Sequence, residues 1–566
     1  MSFCRIPHSI CLISISSLMQ FSPLPAHAAA HAADASSPPT AVPALPAATP
    51  ASNANAISSE QQALHVLNRL GYGPKPGDVA RVMQMGVPAY IQSQLQPEKI
   101  ALPASLNQRL AQLDTQKDAT GSTLTQFVEG RKQAKDDDAD KQQYRAQLAH
   151  LAEQNAEARL ARAIDSPRQL EEVMVDFWFN HFNVYAAKGL DRALISSYER
   201  DAIRPNVLGN FRALLGATAH HPAMLFYLDN WLSTKADYQP RAKLRAARFA
   251  PSGPLAQLAA NNPKNKVQGL NENYARELME LHTLGVDGGY TQKDVTELAR
   301  MLTGWTFSAR HADGNNDLFE FDPARHDNGE KFWLSRTVSG NGEREGDIAL
   351  DVLAMHPATA HHIAFKLAQY FVQDQPPPQL VDKLAKQFLD GKGEIRPVLA
   401  MLFASPEFLS AANSKFKTPY QYVISAARAA NLPIVNIRPL LGTLNQLGMP
   451  LYGSPTPDGY KNTEAAWLNP DALTRRIQFA TLLASGRLPV DKAVADGMMG
   501  KKQLEKQALP NEKNGAALPI QTALQADALL ATLGTSISPA TRDLLNKQAP
   551  ALRAALVLGS PDFMRH

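Results

Sequence analysis

Apolar positions recur at helical spacing through most of the chain. Leu170, Val173, Met174, Phe177, Trp178, His181 and Phe182 fall at i, i+3, i+4, i+7, i+8, i+11 and i+12, which makes one wide face for burial. Val295, Leu298, Ala299 and Leu302 repeat the pattern after Thr291 and Asp294, and Gly304 closes that segment. Near the start, Ser59 and Gln62 have capping-box spacing ahead of Ala63, Val66, Leu67 and Leu70. A second helix is expected over 76–95, interrupted at Gly86-Val87-Pro88. His356-Pro357 opens another through Ile363, Leu367 and Phe371, and shorter ones follow at 395–405, 418–430, 471–486, 520–533 and 539–558. Extended segments are scarce. Phe319-Glu320-Phe321 and Phe332-Trp333-Leu334 bracket a loop with Asn328-Gly329, a favoured turn pair, so one short β-hairpin is predicted there. No repeat of 20–50 residues marks a solenoid. The expected fold class is mainly α: a large multi-helix body with one short β-hairpin.

Polar composition divides the chain further. Residues 104–165 carry Asp136-Asp137-Asp138 and a Gln, Ala, Glu and Arg-rich run with a thin apolar stripe, which reads as an exposed helical arm. The amino terminus reads as a signal peptide over 1–28. Arg5 precedes the short apolar run Ile10–Met19, and Ala26-His27-Ala28 fits the cleavage rule. That run is too short to span a bilayer. Residues 29–57 form an Ala, Pro and Ser-rich linker. A main helical domain is expected over 58–490, with a helical extension packed on it over 491–566. A periplasmic or secreted protein follows, cleaved near Ala28, with no transmembrane segment in the mature chain.

Charge and cysteine content exclude several classes. The formal charge is +4 over 566 residues, too balanced for a nucleic-acid binder as the default. The two cysteines, Cys4 and Cys11, both lie in the leader, which excludes a disulfide scaffold, a Cys nucleophile and Cys-ligated zinc from the mature chain. No His-Glu-x-x-His, Gly-x-Ser-x-Gly or phosphate-binding loop motif is present.

Three constellations carry candidate chemistry. On a helix, Asn273, Glu277 and Glu280 fall on one face, with Arg276 on its border. Two carboxylates one turn apart can hold a divalent cation or act as an acid–base pair. With Arg276 between them they can equally form an ion-paired structural face. His326 and Asp327 occupy the expected hairpin tip, as a general base or ligand pair, or as a turn in which Asp327 bonds backbone amides. His181 lies on the apolar stripe as a core histidine, while Asn180 faces a loop. A basic cluster at Arg241, Lys243, Arg245 and Arg248, with Lys264 and Lys266, offers a surface for anionic glycan or lipid, or ordinary solvated charge.

Several segments together resemble a known family. They are Leu67–Pro74, Trp178–Phe182, Pro222–Asp229, Asn271–Gly285, Tyr290–Asp294, Gly304-Trp305-Thr306, His326-Asp327, Pro406-Glu407-Phe408, Pro457-Asp458-Gly459-Tyr460, Trp467 and Arg475-Arg476. Their order and spacing, over roughly 60–490, are similar to the domain of unknown function 1800 family. The resemblance implies an exported, mainly helical bacterial protein of uncharacterised activity. It also implies an association with an exported partner of the sulfatase and alkaline phosphatase type. The resulting expectation is a polar cleft where Asn273, Glu277 and Glu280 meet His326 and Asp327, with Arg276, His181 and Asn180 as substrate contacts. In it a carboxylate serves as base and His326 shuttles protons, in a hydrolase-like reaction on an envelope polymer or small polar substrate. The competing expectation is a non-catalytic assembly or partner protein.

Overall fold

The widest apolar face in the sequence lies at the centre of the molecule. Helix Gln169–His181 buries Leu170, Val173, Met174, Phe177, Trp178 and His181. Trp178 is fully enclosed, donates its indole N–H to the Val207 carbonyl at 3.0 Å, and has the Phe182 and Phe211 rings 6.0 and 5.9 Å away. Each large apolar side chain so enclosed contributes about 1.5–3 kcal/mol of burial free energy. The computed structural model describes residues 58–134, 137–238, 269–308, 314–491 and 523–566. The segments expected to be a leader with both cysteines and a linker up to residue 57, and the basic cluster at 241–266, lie outside the described residues.

Around this centre the fold is mainly α-helical. The capping box that opens helix Ser59–Arg69 uses Ser58 and Gln61, one residue earlier than the sequence spacing suggested. The expected break at Gly86 separates helices Asp78–Met85 and Val87–Gln94. Thr291 and Asp294 form the capping box of helix Gln292–Met301. Helices Pro357–Phe371 and Pro378–Asp390 pack side by side, as do Pro470–Ala484 and Pro550–Leu558. The carboxy-terminal residues return to the body: Phe416 bridges Arg565, and the Lys417 amide donates to Met564.

Two expectations are corrected. The segment 104–165 is only in part an exposed arm. Its long helix, Asp138–Asp165, is exposed over its first half, but Arg159, Leu160, Ala161, Ala163 and Ile164 in the second half are buried. Ala156, Ala158, Ala161 and Ala163 let neighbours approach there and Arg159 is paired with Asp176 and Glu199, so the same helix runs from solvent into the core. The extended segments also pair differently. Strand β1 (Trp305–Phe307) pairs antiparallel with β2 (Phe319–Phe321), and β3 (Lys331–Trp333) pairs with β4 (Arg336–Val338). The hairpin turn is Leu334-Ser335, both with positive φ (45° and 62°), as a two-residue turn between twisted strands requires. Asp294 holds the turn, accepting from the Leu334 amide at 2.9 Å. Asn328-Gly329 lies in the connection before β3, where Asp327 organises it.

Candidate functional site

Helix Gln169–His181 also borders a cleft, to which the edge of its apolar face and the polar residues beside it contribute. Asp176, Phe177, Asn180 and His181, at i, i+1, i+4 and i+5, form its floor. One wall is helix Pro357–Phe371, which presents His362, Lys366, Gln369 and Tyr370 at i, i+4, i+7 and i+8. Glu280 and Leu281, at the end of helix Asn273–Glu280, form another wall. The loop that includes Met449, Asp458, Tyr460 and Lys461 closes the remaining side. The cleft spans about 960 Å³ with the open solvent at its mouth included, and on the same measure adjoins a smaller space of about 370 Å³ lined by Arg159, Asp176 and Tyr452.

The loop is sewn to the floor by amide side chains. Asn180 donates to the Tyr460 carbonyl at 2.9 Å and accepts from the Tyr460 amide at 2.7 Å. Asn183 donates to the carbonyls of Ser454 and Thr456 at 3.1 and 2.8 Å. This approach requires Gly459, whose φ is +66° and where an added Cβ would fall 2.4 Å from the Asn180 carbonyl oxygen.

Behind the floor lies a buried ionic network. Arg159 donates to Asp176 and to Glu199, each at 2.6 Å, and its guanidinium lies 5.3 Å from the centre of the Phe179 ring. Arg204 binds Glu172 in a two-pronged pair at 2.8 and 3.0 Å. Burial works against the Glu199 charge, yet Arg159, Arg204 and the Tyr452 hydroxyl hold its carboxyl down at about 2. A charge network of this kind fixes the orientation of Asp176 from below.

The cleft itself holds a nitrogen cluster. The His181 Nε2 lies 3.1 Å from the His282 carbonyl, which can only accept, so Nε2 carries the proton and Nδ1 is a bare lone pair. The Lys366 amine donates to that Nδ1 at 3.2 Å. Burial first, then the Lys366 charge, keep His181 well below the usual imidazole range and bring His362 to about 4. Burial and the nearby Lys461 pull Lys366 down to about 8. On the opposite wall Glu280 accepts from the Tyr290 hydroxyl at 3.0 Å. Burial and then the Glu280 charge raise the neighbouring Glu277 carboxyl. Among the described residues, no group of three or more His, Asp or Glu side chains is arranged to hold a metal ion.

A family model described as "Protein of unknown function (DUF1800)" matches residues 65–565. The chain belongs to the DUF1800 family. The match contains every residue that lines the cleft. No curated protein and no solved structure matches the chain.

In this DUF1800 protein the residues expected to share one cleft divide into three groups. Glu280, His181 and Asn180 line the cleft, and Glu277 lies beside it, electrostatically coupled to Glu280. Asn273 and Arg276 do not line it. Asn273 is exposed, and Arg276 donates to Gln292 at 2.8 Å and pairs with Glu272 rather than bridging Glu277 and Glu280. His326 and Asp327 belong to a separate buried knot. His326 donates from Nδ1 to the Thr303 carbonyl at 2.8 Å, with Nε2 3.5 Å from Glu345. Glu345 also pairs with the fully buried Lys331 at 2.5 Å. Asp327 accepts from Arg300 at 2.8 and 3.2 Å and from the Gly329 amide at 2.8 Å. Its polar atoms are spent on holding β3 against helix Gln292–Met301, so the expectation that this pair meets Glu280 is corrected.

Sequence reasoning missed Lys366, His362, Asp458 and Asp176. His362 and Lys366 share a helical face at i and i+4. Asp458 stands in the Pro-Asp-Gly-Tyr segment that carried part of the family resemblance. Those two signals point to the cleft; only packing brings them together.

Proposed function

We propose that this DUF1800 chain is an exported protein that hydrolyses a small polar substrate, or the end of a cell-envelope polymer, in the central cleft. The observation that carries the reading is the convergence of Glu280, His181, Lys366 and Asp458 on one open space from four segments far apart in sequence. Buried hydrogen-bonded pairs need no such space. Glu280 is the partly exposed carboxylate whose protein partner is the neutral Tyr290 hydroxyl, which suits it to take a proton from water. The proton-handling role expected of His326 passes to His362, whose Nε2 has no protein partner in the cleft wall. Export rests on the leader pattern around Arg5 and Ala26-His27-Ala28. Among the described residues, no helix is long and apolar enough to cross a membrane.

A second reading, assembly with an exported partner of the sulfatase and phosphatase type, draws on the carboxy-terminal helices. Ile477, Leu544, Leu552 and Leu556 are exposed apolar side chains on helices Pro470–Ala484, Pro539–Asn546 and Pro550–Leu558, which pack together. The two readings separate in one assay. The purified chain and Glu280→Gln are offered chromogenic ester, amide, glycoside and phosphate substrates. Turnover that falls about a hundredfold in the variant, at an unchanged melting temperature, supports the hydrolase. Absence of turnover by the wild type overturns it in favour of assembly.

A further inference from the structure

Four lysines of the described chain have their amines drawn into the protein, and three are accounted for. Lys331 pairs with Glu345 at 2.5 Å, and Lys415 pairs with Asp374. Lys417 donates to the Ser425 hydroxyl at 2.9 Å and lies 4.1 Å from the centre of the Phe563 ring, away from the cleft. Lys366 differs from all three. It lines the cleft, its partner is the neutral imidazole of His181, and it has no carboxylate within ion-pairing distance among the described residues. The loop carboxylate that it senses, Asp458, is held by Lys461 at 2.6 Å. The other titratable groups that face it, His181 from the floor, His282 just past the Glu280 wall and His362 one turn earlier on its own helix, are neutral nitrogens.

An ammonium drawn out of water without a counter-charge costs several kcal/mol, and a cleft is the one place where a ligand can supply that charge. His181 aims the amine. Its Nε2 proton is committed to the His282 carbonyl, so its Nδ1 lone pair fixes one of the three Lys366 donors. The other two remain for a ligand. We propose that Lys366 is an anion-recognition residue, which binds an oxyanionic group (carboxylate, phosphate or sulfate) on the substrate of the central cleft, with His181 as its positioning residue. This rests on the cleft being the substrate site. It adds that the substrate is acidic, and that its acidic group lies at the Lys366 end, away from Glu280.

The test is calorimetric titration of the full chain with acetate, inorganic phosphate and sulfate, separately, at constant ionic strength. Wild type binds at least one of them, and the preferred anion tells the carboxylate, phosphate and sulfate sources apart. Lys366→Met weakens that binding about tenfold or more, while Lys366→Arg keeps most of it. Sulfate stays fully charged from about pH 6 to about pH 9.5, so its affinity reports on the amine alone. The affinity falls as pH rises through about 8 in wild type and stays level in Lys366→Arg, whose guanidinium does not titrate there. If no anion binds wild type, if folded Lys366→Met binds as well as wild type, or if the affinity is flat with pH in both, the proposal is overturned. The titration needs no turnover, so anion binding lost in Lys366→Met without any hydrolysis would retire the hydrolase reading and leave Lys366 as the anion-binding residue of a ligand cleft.

Discussion

Asn180 makes two opposed hydrogen bonds to the backbone of one residue, Tyr460, across 280 positions of sequence. Its amide is the sole group of its size that can donate and accept in that geometry, so Asn180→Leu leaves both backbone groups of Tyr460 without partners. The expected cost is about 1–3 kcal/mol, read as a lower urea midpoint, with faster proteolysis within 449–462. Arg159 has the larger effect because it compensates two carboxylates at once. Arg159→Met leaves Asp176 without its ion pair and Glu199 with Arg204 and Tyr452 alone, and about 3–5 kcal/mol of stability is lost in the same assay. Asn180 stood out in the sequence as a candidate contact facing a loop, whereas Arg159 was one polar position among many. An arginine in a charged run looks the same whether the helix around it is solvated or enclosed.

Helices and strands were legible where their signals are local. The capping box at Thr291 and Asp294, the break at Gly86 and the apolar face of Gln169–His181 are encoded within a dozen residues each. Strand pairing was not, since Phe319–Phe321 finds its partner in Trp305–Phe307, upstream rather than downstream. Helix Asp138–Asp165 shows the same limit: periodicity gives the helix, and the neighbours decide which half is covered. Leu160→Ala, at a fully buried position, is expected to cost about 2–5 kcal/mol, and Arg145→Ala, on the exposed half, no more than about 0.5 kcal/mol. Equal effects on the denaturant midpoint would contradict the division of this helix. Helix Arg344–Ala354 meets the β1 tryptophan at Gly346, where an added Cβ would fall 2.0 Å from the Trp305 ring. Gly346→Ala therefore forces the helix and β1 apart, at about 1–3 kcal/mol, visible as a reduced melting temperature.

Across the whole molecule, burial of histidine couples stability to pH. Burial, its largest cause in each case, brings His65, His221 and His282 down to about 3 and His362 to about 4, and holds His181 well below its ordinary value. Below pH ~6.5 these rings take up protons in the unfolded chain while the folded chain refuses them, so stability falls as pH falls. The loss grows by about 1.4 kcal/mol per histidine for each pH unit until the folded values are reached. Denaturant midpoints at pH 7.5 and 5.5 should differ clearly, with the lower midpoint at 5.5; equal midpoints would contradict the burial of these rings. By itself the sequence determined the helical class, many of the helix boundaries, the confinement of both cysteines to positions 4 and 11, and the DUF1800 resemblance. The class and the boundaries follow from composition and from a period of 3.6 residues, and the resemblance from the order and spacing of its motifs. Only the tertiary structure decided which polar groups meet. It sent His326 and Asp327 into a knot with Arg300, Lys331 and Glu345, and set Lys366, His362 and Asp458 around Glu280 and His181. Helical period fixes the face on which a side chain stands, but the partner it meets depends on how whole helices pack, and that is settled by burial summed over the core.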